Sequence, residues 1–156
     1  MKWSDWLERW GMSSLKINAG VLALEWEPKD PDRQAAWELY IELLTRIATQ
    51  DLAPDHGDET TALASIFKLF DLTRQTLKAH HGCDEFAKLA VIVLNQVIRP
   101  FTAKWHRLSL AGAFSEAAPC AEFRAELGAL QKTLRQYTKA LADMARVEDL
   151  TTLEEI

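Results

Sequence analysis

The chain has 156 residues, 48% of them hydrophobic, and a formal net charge of −5. That length fits one globular domain with a core of its own, and the acidic balance excludes a nucleic-acid footprint spread over the whole surface. Two cysteines, Cys83 and Cys120, in no C-x-x-C pair exclude a zinc ribbon and a dithiol redox motif.

Residues 1–29 form an irregular N-terminal arm. Within it Trp3, Trp6, Leu7 and Trp10 share one face of a short helix that Gly11 can end. Residues 15–27 alternate loosely, as an extended arm or short strand pair. Asp30-Pro31 starts the first main helix, with Asp30 as cap, and this helix is expected to run to about Asp51. Asp58 caps a second helix with Leu63, Ile66, Phe67, Phe70 and Leu77 on one face, ended by His80, His81 and Gly82. A third helix starts near Asp84 and either ends at Arg99 or kinks at Pro100. In the fourth, Phe123, Leu127, Leu130, Leu134, Tyr137, Leu141 and Met144 alternate spacings of four and three, the seam of shallow-angle helix packing. The expected fold is all-α: one domain over 1–156, a four-helix bundle at 30–146, the Trp-rich segment packed across it, and an acidic tail at 147–156.

Asn95, Arg99, Thr102 and His106 are spaced four, three and four, so a helix continuing through Pro100 aligns them. Glu38, Glu42, Thr45 and Thr49 repeat that spacing on the first helix. Glu38, Glu42, Asn95 and Arg99 therefore read as a structural polar seam, with Glu42 paired to Arg99. The seam is expected to be sealed near Asn95 and Arg99 and more exposed toward Lys104 and Arg107.

Arg99 and His106, with six residues between them, also resemble the Arg, four to six residues, His pattern of HEPN-type helical ribonucleases. The resemblance covers eight residues, and Pro100 stands where that pattern commonly has a polar residue. Those enzymes are small helical bundles that usually dimerise so that two motifs share one cleft. The resemblance implies that Arg99 stabilises phosphate charge. It implies that His106 serves metal-independent, acid/base cleavage of RNA through the 2′-hydroxyl.

The remaining motifs point to no chemistry. There is no H-E-x-x-H, no Gly-rich phosphate loop and no nucleophile elbow, so neither a metal nor a cofactor is expected. His80-His81 reads as a helix C-terminal cap, and Cys83, at a helix N-terminus, as a thiol whose pKa that position would lower. Trp3, Trp6 and Trp10 form either a core lid or a partner-docking surface. Lys104, Trp105 and Arg107, in a stretch without acids, form a second partner-binding candidate, with Phe101 and Trp105 available to stack on bases. The acidic tail could also fold onto this basic stretch.

The longest apolar run, Leu89 to Leu94, is far below the roughly 20 residues of a membrane span, and no secretory signal is visible. The expected protein is a cytoplasmic, non-catalytic interaction module, an adaptor or accessory subunit, that binds a protein partner or a second copy. A ribonuclease using Arg99 and His106 across a dimer cleft is the alternative, and RNA is a further expected partner class.

Overall fold

The computed structural model describes residues 1–154. Of the predicted acidic tail, residues 155 and 156 lie outside the described residues. Among the described residues the fold is all-helical, without strands. The helices are α1 (Trp3–Arg9), α2 (Ala19–Leu22), α3 (Asp30–Leu44), α4 (Glu59–Ala79), α5 (Asp84–Val93), α6 (Arg99–Leu110) and α7 (Ala117–Ala145). A π-helical turn, Leu94–Ile98, joins α5 to α6, and a short 3-10 turn, Ala113–Ser115, precedes α7.

The core is built where α3 lies along α7. α4 and α5 pack on α3, and α6 packs on α4 and α7. Every residue of the α7 seam is buried, from Phe123 to Met144. At the α6 end the core is aromatic. Trp105 stands edge-on to Phe123 at 5.2 Å and lies stacked on Phe114 at 5.9 Å.

Pro100 neither ends nor sharply breaks its helix. Proline has no amide hydrogen, and its ring would strike the carbonyl four residues earlier. The chain widens by one residue instead, and the Arg99 amide donates to the Leu94 carbonyl, five positions back. Asp84–Leu110 is consequently one helical run of 27 residues with mean hydropathy 1.2, long and apolar enough by length and composition to cross a membrane. The short run Leu89–Leu94 did not reveal this. Phe86, Leu89, Ala90, Val93, Ile98 and Trp105 on this run nevertheless belong to the protein core.

Carboxylates anchor the element ends. Asp32, 1% exposed, accepts the Lys29 amide at 2.8 Å through one oxygen and the Phe86 amide at 2.9 Å through the other. One buried side chain thus satisfies orphan amides at the starts of both α3 and α5. The expected cap, Asp30, instead pairs with Arg33 at the surface. In the N-terminal arm, Trp6 and Trp10 both donate their indole N–H to Asp143 of α7, at 2.7 and 3.2 Å, and Trp3 donates to Glu85 at 2.8 Å. The arm closes on itself through an antiparallel bridge between Lys2 and Glu25, and Trp26 stacks on Trp6 at 4.7 Å.

α3 stops at Leu44, short of the Asp51 suggested by its sequence. Side chains take over the carbonyls that further helix would have satisfied: Thr49 donates to Leu43 and Gln50 to Leu44. α7 holds the following loop. Gln131 donates to the Ile47 and Gln50 carbonyls, Arg135 to Thr49, and Arg124 to Ala53 and His56. Arg124 also pairs with Glu59 at 3.0 Å. Burial raises the Glu59 carboxyl, but the hydrogen bond and charge of Arg124 outweigh it, so its pKa lies below the ordinary 4.5. The expected α4 cap is present: Asp58 accepts the Thr61 amide at 2.8 Å.

Two stability outcomes follow from these anchors. Asp32→Ala, which strands one buried and one part-buried amide, should cost about 2–3 kcal/mol. Asp30→Ala should cost far less; equal melting temperatures for the two variants would show that the double cap contributes nothing. Glu59, lowered in the folded state, contributes stability that is present above the unfolded glutamate pKa and lost as pH falls through its folded value. The melting-temperature gap between wild type and Glu59→Gln should therefore be open at pH 7 and close below about pH 4. A gap constant from pH 7 to pH 3 would remove Glu59 from the acid response.

Candidate functional site

After the π turn, α6 is regular, so Arg99 and His106, seven positions apart, fall about 20° from alignment on one face. That face lies against α4. The Arg99 guanidinium sits 4.8 Å over the Phe70 ring, and the His106 ring meets Phe67 edge-on at 4.9 Å. Phe67 and Phe70 are themselves 5.6 Å apart. Arg99, Phe70, Phe67 and His106 therefore form one continuous row along the α4–α6 junction, with the two helices antiparallel.

The row is open where a seal was expected. Asn95 and Arg99 are exposed, His106 is half-buried and Arg107 is exposed. Arg99 does not pair with Glu42; its Nε donates to Asn95 at 3.1 Å. Glu42 pairs with Arg46 of its own helix at 2.9 Å, and Glu38 meets His80 at 2.7 Å. The predicted seam of Glu38, Glu42, Asn95 and Arg99 does not form, because α3 packs on α4, α5 and α7 rather than on α6, whose Arg99 is turned toward α4. His80 is thus held by a carboxylate rather than left as a solvated cap. Of the track's four residues, Thr102 is the buried one, and it donates to the Ile98 carbonyl.

The other predicted binding residues are distributed differently. Trp3, Trp6 and Trp105 are at most 1% exposed, so none offers a docking or stacking surface, and Trp10 is partly buried on Asp143. Phe101 is buried as well. Their apolar area is consumed by the core. Lys104 reaches α7, where Glu126 and Glu122 take it at 2.8 and 3.2 Å. The Glu126 hydrogen bond, with that of Glu122, holds the Lys104 ammonium above its ordinary pKa. Among the described residues, Arg107 forms no ion pair.

Through residue 154 the tail does not reach the basic stretch. Arg146, in a left-handed conformation with φ 57°, turns the chain back, and the Leu150 amide donates to the Tyr40 hydroxyl of α3 at 2.7 Å. A groove of about 770 Å³ lies between the tail and the end of α3, lined by Leu44, Gln50, Arg135, Leu150 and Leu153 among others. Its cation, Arg135, is already held by Asp51 and the Thr49 carbonyl.

No metal cluster exists among the described residues. Cys83 is buried, and that burial, with the charge of Asp32, pushes its thiol up rather than down. Sequence reasoning missed two exposed features. Phe67, placed on the inner face of the second helix, is 50% exposed because it lies at the edge of that apolar stripe. On α3, Trp37 and Ile41 are 44% and 39% exposed. With Leu44, which is partly buried against the core, they keep the i, i+4, i+7 spacing of a second stripe, a pattern readable in the sequence. No protein-family model, curated protein or solved structure matches the chain.

Proposed function

We propose that the protein is a small helical interaction module, without catalysis of its own, that serves as an adaptor or accessory subunit in a cytoplasmic complex. In this reading a four-helix bundle of α3, α4, α5–α6 and α7 is the scaffold, and the Trp-rich arm is a structural strap packed across it. The observation that carries the reading is the outward pair Trp37 and Ile41, continued by the partly buried Leu44. The fold buries Trp3, Trp6 and Trp105 yet leaves Trp37 outside, stacked on Tyr40 at 5.9 Å. Tryptophan on a rigid helix is the residue most enriched at protein–protein hot spots. The stripe adjoins the tail, where Leu150 is half-buried and Leu153 is 73% exposed, so the apolar surface extends beyond one helix. A protein partner or a second copy of the chain is its occupant.

The test is Trp37→Ala combined with Ile41→Ser. Both side chains are exposed, so the melting temperature should stay within about 2 °C of wild type. Affinity for a stoichiometric partner recovered with the wild type, or for a second copy in light scattering, should fall about 30-fold or more. A partner retained at wild-type strength by this variant would rule out the stripe.

A ribonuclease is a second reading, favoured by the alignment of Arg99 and His106 on one open row. In that reading Arg99 binds phosphate and His106 moves the proton. Purified wild type should cut single-stranded RNA in the presence of a chelator. His106→Ala should abolish cutting while leaving the fold intact. RNA left whole by the wild type, or cut equally by the variant, ends this reading.

A further inference from the structure

The α4–α6 face carries a different signature from the apolar stripe of α3. The protein is acidic, yet no aspartate or glutamate occurs between Glu85 and Glu116. α6 therefore presents only cations. Lys104 is taken by α7, but Arg99 and Arg107 form no ion pair among the described residues. On α4, Arg74 is exposed, one turn beyond Phe70, the residue on which Arg99 rests. The acid of this part of α4, Asp71, is already engaged by Lys68 at 2.7 Å and Gln75 at 2.9 Å. Lys68 draws its carboxyl below the usual range.

Beside Arg99 and Phe70 lies Phe67, half exposed, with the His106 ring roughly perpendicular to it at 4.9 Å. A half-exposed ring beside arginines can act as a stacking platform with phosphate forks around it. Guanidinium forks take carboxylate and phosphate alike, so it is the exposed ring, to which a run of acidic side chains gives no role, that favours a polynucleotide. The ring lies along the junction of two helices, where an unstacked base can reach it and a base held inside a duplex cannot. Arg99 and Arg107 are about 12 Å apart along α6, so a strand lying on the helix meets both.

The geometry points to a binding face for a single-stranded polynucleotide on α4 and α6, with Phe67 stacking on a base and Arg74, Arg99 and Arg107 contacting phosphates. His106 braces the Phe67 ring. This face is separate from the Trp37 stripe, so the inference stands or falls without the protein-partner reading.

The experiment is fluorescence anisotropy with the full chain. The probes are labelled 20-nucleotide single-stranded RNA and DNA of one sequence, the matching duplexes and a labelled poly-glutamate peptide, each over a salt series. Single strands should bind more tightly than duplex, with affinity falling as salt rises. Phe67→Ala should weaken binding about five- to tenfold. Arg107→Gln should reduce the salt slope by about 0.7 to 1. Circular dichroism and melting confirm that each variant is folded; Arg107→Gln, at an exposed position, keeps the test valid if Phe67→Ala is destabilised. A preference for RNA over DNA, or the reverse, supports the face and identifies the strand. Absence of strand binding at 50 mM salt overturns the inference, as does binding that neither variant changes. Poly-glutamate binding as tight as that of the strands and insensitive to Phe67→Ala overturns it in favour of an acidic peptide.

Discussion

Proline at position 100 has no amide hydrogen, and a 27-residue helical run is built around that lack. Phe86 and Trp105 are nineteen positions apart, which in a regular α-helix leaves them about 100° out of register. The additional residue of the π turn removes that offset and brings both aromatics into one core. The same rotation sets the outer surface. It places Thr102 inside, lays Arg99 on Phe70 and His106 on Phe67, and turns Lys104 toward α7. Core packing and the exposed row thus have one common cause.

The polar groups of the interior hold ends together rather than forming a reactive cluster. Asp32 joins the starts of α3 and α5, Asp143 ties two arm tryptophans to α7, and Gln131 and Arg135 collect carbonyls from the loop after α3. Each satisfies backbone or indole groups that burial would otherwise leave unpaired at a cost of about 1–3 kcal/mol. At the surface, the Gln96 amide ties the arm to the π turn by exchanging two hydrogen bonds with the Lys16 backbone. The indole N–H of Trp105 is the counter-example, buried without a partner among the described residues, and the surrounding aromatic contacts must offset its desolvation.

Charge separation gives the surface two characters. Glu122 and Glu126 of α7 neutralise Lys104, while Arg99 and Arg107 form no ion pair among the described residues. The acidic tail is drawn to Tyr40 by backbone hydrogen bonding, away from the cations. Surface ion pairs such as these add little stability, but they decide which charges remain available to a partner.

Local pattern was enough to determine the helical class, the α7 seam, the Asp58 cap, the start of α5 near Asp84 and the absence of acids within α6 itself. Each depends on the spacing or identity of neighbouring residues along one helix. The tertiary structure alone decided which residue faces what. Arg99 and Glu42 have matching periodicities, but periodicity does not specify which helices are neighbours, and α6 adjoins α4 instead of α3. Trp3, Trp6 and Trp105 carry the same exposed-or-buried ambiguity as Trp37. The carboxylates and rings that settle it, Asp143, Glu85 and Phe123, lie tens of residues away in sequence. The one-residue shift at Pro100 was likewise undecided locally, since kink, stop and π turn all relieve a missing amide, and the need to align Phe86 with Trp105 selects among them.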